Sequence, residues 1–128
     1  MGDLSPLLRA FLHGEIDSGA FRHADHVRVA FEMLRRHAFQ DAVQPFCSSL
    51  QGIAARAGNP GAYHATVTLA FLSLIAERSA SVLHGDFESF ASANADLMDK
   101  SVLTRWYAPE RLASEIARKT FVLPGASR

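Results

Sequence analysis

Cysteine is nearly missing from this chain. Cys47 is its one thiol, so no disulfide can form within it and stability must come from an ordinary packed core. A lone cysteine, with no secretory leader read at the start, fits a reducing compartment, and the cytoplasm is the expected location. Long apolar runs are missing as well. The longest, Val67 to Ala76, is broken by Thr68 and Ser73 and falls short of the ~20 residues that span a bilayer as a helix. No membrane crossing is expected. Net charge is also absent, because 13 basic residues balance 13 acidic ones. Without a broad positive field the chain has no general means of holding a polyanion, which argues against nucleic acid as a partner. The densest basic cluster, Arg35 and Arg36 beside His37, lacks the interleaved aromatics on which single strands stack and reads as a solvated helix face.

Strict apolar–polar alternation and internal repeats are likewise absent, which removes the usual signs of strands and solenoids. What remains is helical periodicity. With 128 residues, 48% apolar and 20% charged, the composition suits one globular domain over residues 1–128. Ser5 followed by Pro6, then Leu7, Leu8, Phe11 and Leu12, predicts a short first helix that stops at Gly14. Val27, Ala30, Phe31 and Leu34 make one face of a second helix, from Ala24 to about His37. A third should run from about Gln40 to Ala57, with Pro45 in its first turn or at a kink, and end at Gly58, Asn59 and Pro60. The segment from Ala62 to about Ser79 is apolar around most of its circumference, the pattern of a buried central helix. A shorter helix over Phe87 to Ala93 and a last one from Pro109 to about Lys119, burying Leu112 and Ile116, complete the set. The tail Thr120 to Leu123 reads as extended, packing back on the rest. The predicted fold is all-α: a single helical bundle of about five to six helices around a central helix near residues 62–79.

Several polar residues fall in these apolar settings. His23 and His26 stand three apart at the start of the second helix, so both project from one side of its first turn. Such a pair can hold a transition metal if a third ligand arrives, and His64, near the start of the fourth helix, is the natural one. Three neutral imidazoles suit zinc, iron, nickel or copper, with an open position for water or substrate. Neither H-E-x-x-H nor E-x-x-H occurs, so the zincin and di-iron carboxylate patterns are not met. The plainer roles are a helix cap for His23 and, for His26, a histidine bonded to a backbone carbonyl or to Asp25. Tyr63, His64, Thr66 and Thr68 put a phenol, an imidazole and two hydroxyls in the first turns of the most apolar helix, and each must find a hydrogen bond. Either the threonines bond back to helix carbonyls and His64 meets a neighbouring helix, or these groups line a ligand pocket. In the second case His64 is the expected acid or base, since imidazole titrates near neutrality, and Tyr63 or Thr68 orients a substrate oxygen. Glu77 and Arg78 are expected to form ion pairs with Arg105 or Asp96, and Cys47 to pack as a small hydrophobe. Phosphate-binding loops, dinucleotide fingerprints and nucleophile elbows are absent.

The stretches F-R-H-A-D-H-V-R-V-A-F-E-M-L (Phe21 to Leu34) and G-N-P-G-A-Y-H-A-T-V-T-L-A-F (Gly58 to Phe71) resemble a family of small uncharacterised all-helical bacterial proteins carrying H-x-x-H and Y-H-x-T motifs. The W-Y-A-P-E-R-L-A-S segment and the F-V-L-P tail are similar to it too. The resemblance implies motif positions and no substrate. Two functional readings follow from the residues themselves. One is a small-molecule- or metal-binding protein, with an enzyme as one form of it, using His23, His26, Tyr63, His64 and Thr68 between the second and fourth helices. The other is a noncatalytic interaction domain, accessory subunit or homo-oligomer, for which Trp106 and Tyr107 are the best candidates to form an apolar patch.

Overall fold

The computed structural model describes residues 4–81 and 85–125. It is 74% helical, and no strand occurs among the described residues. Seven α-helices are present there: α1 (Pro6–Leu12), α2 (His23–Arg36), α3 (Phe39–Arg56), α4 (Ala65–Ser81), α5 (Phe87–Ala93), α6 (Pro109–Leu112) and α7 (Glu115–Lys119). Four short 3-10 segments link them, over Ser18–Ala20, Pro60–Ala62, Ala95–Met98 and Lys100–Arg105. None of the described helices is long and apolar enough to cross a membrane.

Local chemistry accounts for the main boundaries. Ser5 caps α1 by accepting the Leu8 N–H at 3.1 Å, and Pro6 occupies a first-turn position where no N–H is needed. The same Ser5 hydroxyl donates to Glu32 at 2.6 Å, fastening α1 to α2. Gly14 follows with φ 73°, a backbone conformation in which a Cβ is strained, and turns the chain away from α1. Pro45 lies inside α3 and leaves that helix continuous to Arg56.

α4 is the centre. It packs against α2, α3 and α7, and its Leu72 and Ile75 are essentially inaccessible to solvent. Around it gather Phe11 from α1, Phe31 from α2, Phe46 from α3 and Phe90 from α5, all buried in one continuous cluster. Each such side chain contributes about 1.5–3 kcal/mol relative to exposure.

The C-terminal region departs from the expected single helix. Ser114 interrupts it, donating to the Arg111 carbonyl at 2.7 Å while accepting the Ala117 N–H to start α7. Restarting the helix shifts its angular phase, so Ala117 is buried and Ile116, expected inside, is 58% exposed. Short helices of four and five residues bury little of their own, and polar groups of α4 hold this region in place. Thr66, fully buried, donates its hydroxyl to the Thr120 carbonyl at 2.8 Å and accepts the Val122 N–H at 3.0 Å. It therefore clamps the tail and does not bond back along its own helix. Tyr107 adds a bond to the Val122 carbonyl and Arg111 one to that of Leu123. At the other end of α4, Arg78 forms a bidentate pair with Asp96, which Arg105 shares. The Arg78 guanidinium, more than Arg105, holds the Asp96 carboxyl down at about 2.

Thr66→Val keeps the shape and removes both tail bonds. It is expected to cost about 1–2 kcal/mol by urea denaturation and to speed amide exchange at Val122 ahead of α4. Unchanged exchange at Val122 would contradict the clamp.

Candidate functional site

A cavity of about 620 Å³ lies between α2, α3 and α4, inside the size range of small-molecule sites. Its floor is apolar and buried, made by Val27, Phe46, Leu50, Ile53, Phe71 and Ile75. All five residues to which the sequence points, His23, His26, Tyr63, His64 and Thr68, line it. They reach it because α2 and α4 both begin there, α2 at His23 and α4 at Ala65. Their chemical situations differ sharply.

His64 has both ring nitrogens engaged. Nδ1 accepts the Val67 N–H at 3.1 Å, which caps α4, and Nε2 lies 2.7 Å from the Leu112 carbonyl. An N–H can only donate and a carbonyl can only accept, so the ring is the neutral tautomer with its proton on Nε2. Moving that proton would break either the cap or the tie to α6. Both nitrogens that an acid or base role for His64 would use are thus engaged, one in capping α4 and one in the tie to α6.

The same bonds bear on the expected three-histidine metal centre. Among the described residues no group of three His, Cys, Asp or Glu side chains is placed to hold a metal ion. His64 has no lone pair to offer, and His23 donates Nε2–H to the Leu97 carbonyl at 2.9 Å. These residues do not fit a transition-metal site built from His23, His26 and His64.

His26 is different. It makes no hydrogen bond through its ring among the described residues, neither to Asp25 nor to a backbone carbonyl, and instead packs against Phe21, the rings tilted by 33° with centroids 4.5 Å apart. Burial in this apolar wall drives its pKa down to about 4, with the nearby charges of His23 and Lys100 adding to the effect and Asp25 opposing it. At neutral pH it is an uncharged imidazole that offers one donor and one acceptor. His23 stands edge-on to Phe71 at 5.0 Å and completes this side.

Across from them, Tyr63 lies against the Cys47 thiol and the Thr68 hydroxyl. Burial, reinforced by Cys47 and opposed by Thr68, pushes the phenol above its ordinary value, so it stays protonated and able to donate. Cys47, half-buried, packs beside this phenol.

Sequence reasoning misses the cavity's charged rim. Arg22 and Lys100 line it and are exposed. Arg22 immediately precedes the histidine pair and is legible there. Lys100 lies in a 3-10 segment far along the chain and carries no local signal. No family model, curated protein or solved structure matches the chain.

The His26 shift links stability to pH. A folded pKa of about 4 against 6.5 in the unfolded chain means the unfolded state binds more protons between those values. The stability is then fully present above 6.5 and is lost as pH falls toward 4. Between pH 7 and 5 the loss should be on the order of 1–2 kcal/mol, and His26→Phe should flatten it. Parallel pH profiles for the two proteins in urea denaturation would contradict the assignment.

Proposed function

We propose that this protein binds a small molecule in the cavity between α2, α3 and α4. The observation that carries the reading is the convergence of five polar residues, drawn from the starts of two different helices, on one cavity with an apolar, buried floor. Apolar walls supply affinity by excluding water, and a few placed polar groups fix orientation. Here the orienting groups are the His26 ring, the Tyr63 phenol and the Thr68 hydroxyl. His64 holds the wall in place from behind. Any proton transfer to a ligand falls to His26, whose ring nitrogens have no hydrogen-bond partner among the described residues.

The second reading, an interaction surface, draws on Trp106 and Phe121, 47% and 43% exposed, beside a shallow groove of about 180 Å³. Tyr107, expected to join that patch, is buried and bonded to the tail. A concentration-dependent oligomer dissolved by Trp106→Lys is the signature of this reading.

The cavity reading is tested with the neutral apolar dye N-phenylnaphthylamine. Saturable fluorescence enhancement is expected, and Ala54→Trp, which fills the cavity from α3, should weaken it at least about tenfold, or ~1.4 kcal/mol, without lowering the melting temperature. Absent enhancement, or equal binding by the variant, would contradict the proposal.

A further inference from the structure

The cavity's charge distribution goes further than its size. Arg22 and Lys100 both line it, and no carboxylate among the described residues does. Neither cation is in a salt bridge among those residues, whereas Arg28, Arg78, Arg105 and Lys119 all are. Three aspartates lie close in sequence to this rim, and each is engaged with backbone. Asp17 accepts the Gly19 N–H at 3.0 Å, Asp25 the Arg22 N–H at 2.9 Å, and Asp99 both the N–H and the hydroxyl of Ser101. These carboxylates start helical turns and keep their charge, Asp25 acting on His26 and Asp99 on His23, but none of the three lines the cavity, whereas Arg22 and Lys100 both do.

The positive charge is also localised. Lys100 acts electrostatically on His26 more strongly than Asp25 opposes it, and Arg22 is the chain neighbour of His23, so the lining cations belong to the α2 end. On the α3–α4 side Leu50, Ile53, Val67 and Ile75 present hydrocarbon, with the polar groups Tyr63, His64 and Thr68 gathered at the start of α4. We infer that the ligand is an amphipathic anion, an apolar chain or ring system with one carboxylate-like head, seated with its head between Arg22 and Lys100 beside His26 and its body on the α3–α4 wall. This rests on the cavity being a binding site. It adds the ligand's class and orientation.

The ligand class follows from elementary electrostatics. An ammonium head would meet two like charges and no carboxylate among the lining residues, and a neutral head would gain no charge pairing from either cation. The head need not be deeply buried, since exposed partners gain by pairing without a heavy desolvation penalty.

Decanoate, decanol and decylammonium share one chain and differ in the head, and their displacement of N-phenylnaphthylamine from the full chain tests the inference. Decanoate is expected to bind roughly tenfold more tightly than decanol, with decylammonium weakest. The decanoate advantage should shrink in high salt, and in Arg22→Met/Lys100→Met the ratio of decanoate to decanol should approach one. Decanoate, and not decanol, should also raise the His26 titration midpoint seen by NMR, because an adjacent anion favours imidazolium. Equal affinity for the three heads, or a decanoate preference untouched by the double substitution, overturns the head-group inference while leaving an apolar site standing. Failure of all three to displace a bound dye overturns it as well. Failure of the dye itself to bind removes the cavity reading on which it rests.

Discussion

The hydrogen bonds that α4 makes to the C-terminal segments are the constraint on which the rest depends. A helix apolar on nearly all sides is fit to be a spine, yet α6 and α7 are too short to bury a face large enough to dock by packing alone. Thr66 and His64 supply what packing does not. One clamps the tail, the other ties α6 through the Leu112 carbonyl and caps α4 at the same time. Because both sit in the first turn or at the cap of α4, anchoring the C-terminal region also fixes where α4 begins. The start of α4, together with that of α2, sets the shape of the cavity.

A division of labour among similar side chains follows. Two of the three cavity histidines are tethered to carbonyls of other segments, and among the described residues His26 is not. The difference comes from position. His64 at a helix cap faces an unsatisfied N–H, and His23 meets the Leu97 carbonyl, whereas His26, one turn into α2, meets the ring of Phe21. An imidazole among hydrocarbon and cations stays neutral, which suits it to share a hydrogen bond with a ligand without placing a buried charge in the wall.

Much of this is legible in the sequence. Periodicity locates α1 to α5 to within a few residues, the encircling apolar character of residues 62–79 marks the central helix, and polar residues in apolar turns point to the cavity. What is not legible depends on long-range geometry. Thr66 and Thr68 look alike along the chain, and only the return of Thr120 to Val122 over α4 makes one a clamp and leaves the other in the cavity. The break at Ser114 is hidden because serine is tolerated within a helix, and its two side-chain bonds decide the matter. Lys100 enters the site from a segment with no periodicity, so its role has no local sign.

The most direct test of the central claim, that the cavity and not the Trp106 groove receives the ligand, is a map of backbone amide shifts as decanoate is added to the labelled protein. Shifts clustered on the first turns of α2 and α4, the C-terminal half of α3 and Lys100 are predicted. Shifts centred on Trp106, Tyr107 and Phe121, with α2 and α3 silent, would contradict it.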